Sequence, residues 1–539
     1  MGTDARSSTE TRYEALPPAR DEQGHVTPAL VERLRRRIVL ASGEHAELEV
    51  RAPATGTLLG SIPRGTPADV EAAIARARAA QPLWRATSFA DRARIILRFH
   101  DLVLARQEEI LDLIQLESGK ARSHAFEEVG DVANVARYYA LRAERFLHPR
   151  RRHGALPGLT TAWELRHPIG VCGFIVPWNY PFNLAVTDAI PALMAGNTAL
   201  IKPDHQTSFT ALWAADLLYE AGLPPDVMPV VTGVGPELGP AIVGGVDFVM
   251  FTGSTRTGRT IATLAAPRLI GYSLELGGKN AMLVLDDADV DRAVDGAVRG
   301  CFVGAGQVCV SIERIFVDAR IWDRFIGRFV EAAKALKLSP ALDYSGEVGS
   351  LTSERQLTTV REHLADALAK GATLLAGGNP RPDIGPLFFE PTILTGVTPD
   401  MRCFAEETFG PVVALYRFDD LEDAIQLANA TPYGLNGSVW TRNGRRGMAV
   451  AARLQVGTVN VNEAYAATWG SVDAPIGGFK ESGLMRRHGR DGILKYTEAQ
   501  TVAVQRLLPM AAPTGISARS YSRIMTRALQ ILRHVPGLR

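Results

Sequence analysis

The chain has 539 residues, 46% hydrophobic and 22% charged, with 59 Lys and Arg against 58 Asp and Glu. That length exceeds one compact core and calls for two or three lobes, while the charge balance argues against a nucleic-acid or polyanion partner. Four scattered cysteines, Cys172, Cys301, Cys309 and Cys403, argue against a disulfide scaffold and fit a reducing, cytoplasmic setting, and no His or Cys spacing suggests a metal.

Residues 1–27 are polar and charged, lack the apolar core of a signal peptide, and read as a disordered leader. Met1-Gly2 resembles a myristoylation start, but Arg6 stands where Ser or Thr is needed. Thr66-Pro67-Ala68-Asp69 sets a cap, a first-turn proline and an acid in sequence, and Val70, Ala73, Ile74 and Ala77 follow at helical spacing. Helical patterns continue over about 89–118 and 124–146. The basic, Gly- and Pro-containing stretch Arg150 to Pro157 reads as a connection.

From residue 171 short apolar runs alternate with helical segments: Val171–Val176, Ala199–Lys202, Met228–Val231, Phe248–Phe251 and Ala281–Leu285. A helix over Phe209–Ala221 is stopped by Gly222. Unbroken apolar runs mark strands buried on both faces, so the pattern predicts an α/β fold with a parallel sheet. A second α/β alternation follows Asp289 and runs to about residue 485. Thr160–Leu165 and Gln500–Gln505 alternate enough to form a separate small β-flap, whose open edges suit pairing with another subunit. No apolar run is long enough to span a bilayer. Tyr521 to Arg539 mixes Ile524, Met525, Leu529, Ile531 and Leu532 with four arginines and reads as an amphipathic helix. Docking on its own protein or a neighbouring subunit is favoured for it over a membrane surface.

Several residues could carry chemistry. Cys309 follows Gly306-Gln307, where glycine lets backbone amides approach the thiol; those amides would favour thiolate and later an oxyanion. Glu275 ends an apolar run, and burial there would raise its pKa into the range of a base near neutral pH. The alternative is a carboxylate satisfied by Lys279 or by backbone donors. Asn179, in Pro177-Trp-Asn-Tyr-Pro181, offers a neutral donor at the carboxyl end of a strand, where ligands bind in open α/β sheets. Phe251-Thr-Gly-Ser254 ends a strand and opens a helix able to hold a pyrophosphate, and Lys202 ends another strand within reach of a ribose or phosphate. Each signal is weak alone.

Seven motifs occur in one order: Pro177-Trp-Asn-Tyr-Pro181, Lys202-Pro203, Phe251-Thr-Gly-Ser254, Glu275-Leu-Gly-Gly-Lys279, Gly306-Gln-Val-Cys309, Glu406-Glu-Thr-Phe-Gly-Pro411 and Pro475-Ile-Gly-Gly-Phe-Lys-Glu-Ser-Gly483. Together they resemble the aldehyde dehydrogenase superfamily over residues 45–505. The resemblance implies an NAD(P)-binding Rossmann-like domain over 28–157 and 171–288, a catalytic α/β domain over 289–488, an oligomerisation flap over 158–170 and 489–506, and an amphipathic extension over 507–539. It implies Cys309 as nucleophile, Glu275 as the base that activates hydrolytic water, and Asn179 as oxyanion donor. Trp178, Lys202, Gly253, Ser254, Leu276, Glu407 and Phe409 would line the cofactor. It also implies a small-molecule aldehyde substrate and a homodimer or homotetramer.

NAD-preferring members resemble Lys-x-x-Glu after the second strand, and His205 stands at that acidic position here. Without a carboxylate a 2′-phosphate is not repelled, which favours NADP, with NAD possible. Within the superfamily the chain most resembles bacterial succinate-semialdehyde dehydrogenases. Two arginines that hold the substrate carboxylate in better-known members are Thr187 and Val303 here, and the redox cysteine of some relatives is Ser311. An uncharged aldehyde is the neighbouring reading, coenzyme-A acylation is disfavoured by the presence of Glu275, and a non-catalytic relative by the intact Cys309, Glu275 and Asn179.

Overall fold

A computed structural model describes residues 20–21, 26–155, 160–506 and 511–534. Most of the predicted leader lies outside these residues. Its described end is ordered: Arg20 bridges to Val26 and its guanidinium pairs with Asp112 at 2.6 Å, while Val26 is buried. Thr27 then caps the helix Pro28–Arg35, its hydroxyl accepting from the Leu30 N–H.

Two sheets organise the molecule. The first runs in the order Gly483–Leu484, Gly271–Glu275, Phe248–Thr252, Val171–Ile175 and Thr198–Lys202, parallel except for its short first strand. The predicted helix after Thr66 spans Pro67–Ala86 and packs on this sheet; the Asp69 carboxylate accepts from the Thr66 N–H at 2.6 Å, closing a capping box. Met228–Val231 does not form a full strand. Only Val230 bridges to Ile201 and Ile38, since Pro229 has no N–H to continue the ladder.

The second sheet has seven strands in the order Thr373–Ala376, Thr392–Thr395, Val412–Phe418, Ile312–Asp318, Asn280–Val284, Asn436–Trp440 and Thr458–Val461. All pairs but the first are parallel. Asn280–Val284, assigned from sequence to the first lobe, lies near the middle of this second sheet. The chain therefore crosses between sheets over residues 276–279, ahead of the predicted boundary at 288.

The β-flap has three antiparallel strands, Thr497–Gln505, Thr160–Pro168 and Arg150–Arg152 in that order. The third comes from the stretch read as a connection. Gly489–Leu494, placed with the flap from sequence, is a short helix instead. The tail forms the helix Ala518–Leu532, none of whose residues is buried. Among the described residues no helix is long and apolar enough to cross a membrane, and no cluster of His, Cys, Asp or Glu could hold a metal ion.

Candidate active site

The link over 276–279 places Glu275 at the seam of the two sheets. Glu275 ends its strand opposite Thr252, and its carbonyl accepts from the Gly253 N–H at 3.0 Å. Its carboxyl is buried, and Oε1 has no hydrogen-bond partner among the described residues. Burial pushes its pKa up to about 7, against the pull of Arg487 and Lys495. The alternative of a Glu275–Lys279 pair does not hold: the Lys279 ammonium pairs with Glu313. That Glu313 carboxylate also accepts from the backbone N–H groups of Thr408 and Phe409, so it fixes the segment carrying Glu407.

Cys309 lies between the turn Val303–Gly306 and the strand Ile312–Asp318. The turn is left-handed at Gly304, Ala305 and Gly306. At Gly306 a Cβ would collide with the Gly410 carbonyl, so glycine lets the Cys309 loop and the Glu407 segment touch. The thiol is pushed up to about 12, chiefly by burial and then by the charges of Glu275 and Glu407. The amide-rich setting therefore does not by itself yield a thiolate. Cys301 and Cys403 are buried core residues.

Asn179 is buried, and its side-chain amide donates to the Gln307 carbonyl at 3.0 Å, reaching the loop two residues before Cys309. Its own carbonyl accepts from the buried Lys120 ammonium at 2.5 Å, and Lys120 pairs with Glu128 at 2.6 Å. Glu128 in turn accepts from the N–H groups of Phe182 and Asn183 at 2.9 Å each. Sequence reading missed Lys120, Glu128 and Glu313; a charged residue that folding buries is their signal, because it requires a partner.

One enclosed cavity is lined by Cys309, Glu275, Thr252, Tyr465, Trp469 and Arg487, among others. Arg487 is its single cationic lining residue and pairs with Asp188, which also faces Lys495 at 3.5 Å. Thr187 contributes a weak contact to the Arg487 guanidinium at 3.4 Å. Val303, at the other expected arginine position, is buried core.

The predicted cofactor residues fall at the carboxyl ends of the first sheet and beside the seam. Lys202 ends Thr198–Lys202; the residue is buried, its ammonium makes no hydrogen bond or ion pair among the described residues, and burial lowers its pKa against the pull of the Asp204 charge. A buried cation without a partner fits an anionic or hydroxyl-bearing group of a ligand. The neighbouring His205 is partly exposed, with Nδ1 3.3 Å from the Asp204 carboxylate, which caps the turn by accepting from the Gln206 N–H. Ser254 caps the helix Thr255–Ala265 and is exposed next to Gly253. Leu276 is buried, and a Cβ on Gly258 would strike its side chain. Glu407 accepts from the Gly278 N–H at 2.8 Å; burial and the Glu313 charge push it up to about 8. Trp178 and Phe409 meet edge to face, with ring centroids 5.5 Å apart.

A family model described as "Aldehyde dehydrogenase family" matches residues 40–502. A protein of Mycolicibacterium smegmatis named "Putative succinate-semialdehyde dehydrogenase [NADP(+)]" is 52% identical over 483 residues, 90% of this chain and 93% of that one. The succinate-semialdehyde dehydrogenase [NADP(+)] GabD of Escherichia coli is 36% identical, covering 87% of this chain and 98% of its own. Among solved structures, succinate-semialdehyde dehydrogenase from Burkholderia pseudomallei superposes with a TM-score of 0.82 at 37% identity, over 85% of this chain and 95% of that one. The ordered motifs, the two sheets joined at the Glu275 seam and the match to most of the length lead to one assignment: the chain belongs to the aldehyde dehydrogenase family.

Proposed function

We propose that the protein oxidises succinate semialdehyde to succinate with NADP. The observation that carries the chemistry is the single cavity walled by both Cys309 and Glu275. In this reading Cys309 bonds to the aldehyde carbon, and the oxyanion is held by the Asn179 amide and the Cys309 N–H. Burial raises the Cys309 thiol, whose proton passes to solvent as the sulfur attacks. Nicotinamide, when bound, supplies the hydride acceptor. Glu275 then accepts a proton from the water that hydrolyses the Cys309 thioester.

Lys202 would hold a ribose or phosphate of the cofactor, with His205 beside it and Gly253 and Ser254 at the helix start. Glu407 would hold the nicotinamide ribose, between Leu276 and the Trp178–Phe409 pair. The relatives' names support NADP and succinate semialdehyde. Arg487 supplies positive potential in the cavity for a carboxylate-tailed substrate, in the absence of arginine at 187 and 303. A second reading, an uncharged aldehyde, is favoured by the apolar remainder of the wall, where Leu184, Val310, Leu435 and Ile476 stand.

Kinetics with NAD or NADP against succinate semialdehyde or a neutral aldehyde of similar length tests both choices. A higher kcat/KM for the acid with NADP is the expected result. No preference for the acid would overturn the substrate assignment and leave the aldehyde dehydrogenase chemistry standing. The flap's open edge strand Thr497–Gln505, with Val502 and Val504 exposed, supports a homodimer or homotetramer. Light scattering reads that directly.

A further inference from the structure

The tail helix Ala518–Leu532 exposes an apolar side among the described residues. Ile524, Leu529 and Ile531 are 57%, 60% and 64% exposed, and Tyr521, Met525 and Leu532 share their arc at helical spacing. Arg519, Arg523, Arg527 and Arg533 occupy the opposite arc, separated only by Ser, Thr and Gln. None of these four arginines makes an ion pair among the described residues. No Asp or Glu occurs anywhere after Glu498. Other surface helices mix signs: Asp291 on Val290–Phe302 faces Arg324 and Arg328 of Trp322–Ala335.

We propose that this helix docks on an anionic lipid bilayer. An apolar stripe opposite a wholly basic face is what an in-plane interfacial helix requires: the stripe enters the acyl boundary while the arginines meet negatively charged headgroups. The match to the family model ends at residue 502, so the docking element lies outside the catalytic body and would hold the enzyme peripherally; no helix among the described residues is long and apolar enough to cross the membrane.

Flotation of the full-length protein with vesicles tests this. Vesicles of phosphatidylcholine with 30% phosphatidylglycerol are expected to carry about tenfold more protein than pure phosphatidylcholine vesicles, and 0.5 M salt should abolish the difference. The double variant Ile524→Asp/Ile531→Asp should remain with the soluble fraction while keeping dehydrogenase turnover and its light-scattering mass. Failure to float, equal flotation on neutral vesicles, or a loss of oligomeric mass in the double variant would overturn the proposal; the last outcome would make the helix a contact with a second copy.

Discussion

The Lys120 ammonium donates to the main-chain carbonyl of Asn179 across 59 positions of sequence, from a site closed to water. The contact fixes the backbone from which the Asn179 amide projects. Burial lowers the Lys120 pKa and the Glu128 charge opposes that shift, so the pair stands or falls together. Lys120→Met leaves Glu128 buried without its cation, at a cost of about 3–5 kcal/mol, read by chemical denaturation. In protein that still folds, kcat should fall more than KM rises, because a misplaced oxyanion donor acts in the transition state.

Glu275 links catalysis to pH. In the proposed scheme hydrolysis uses its carboxylate, so steady-state kcat should climb with pH and level off above about 7. The stability effect has the opposite sense. Its folded pKa is raised from 4.5 to about 7, so its favourable contribution is fully present below pH 4.5 and is lost as pH rises through 7. The loss amounts to about 3 kcal/mol. Glu275→Gln should remove that dependence, and denaturation at pH 5 and pH 8 for both proteins measures it.

The two halves of the reaction can be separated by mutation. Cys309→Ala should reduce turnover by roughly 10⁴-fold or more with the fold retained by circular dichroism. Glu275→Gln should keep a stopped-flow burst of reduced cofactor, followed by a steady state slower by about 10²–10⁴-fold. Activity surviving the cysteine change would remove the nucleophile from the scheme.

Cofactor choice turns on the segment Lys202 to His205. His205→Glu places a carboxylate where a 2′-phosphate would lie, and like charges in contact disfavour binding. The ratio of kcat/KM for NADP over NAD should drop about tenfold or more. Lys202→Met should weaken both cofactors, seen as higher KM values, since its unpaired ammonium is lost for either.

The helices and the strand-end motifs were legible because each rests on local chemistry: the Thr66 cap, the glycine at 306, the buried runs before Asn179, Gly253 and Glu275. The supports of the site were not. Glu313 reads as one acid within an apolar strand, and its partner Lys279 lies 34 positions earlier. Arg487 and Asp188 are 299 positions apart. Sequence spacing carries no record of such contacts. The sheet to which Asn280–Val284 belongs was misread for a related reason: a strand buried on both faces shows the same unbroken apolar run in either sheet.

The crossing at 276–279 also decides how this enzyme can be recombined. Exchange of its cofactor half for a relative's at residue 288 would import Asn280–Val284, an inner strand of the second sheet, between the original Ile312–Asp318 and Asn436–Trp440. A crossover within Gly277-Gly278 keeps the second sheet intact and parts the first only at its short edge strand Gly483–Leu484. It parts the molecule between the proposed base and the proposed nucleophile, so Glu275 would arrive with one parent and Cys309 with the other.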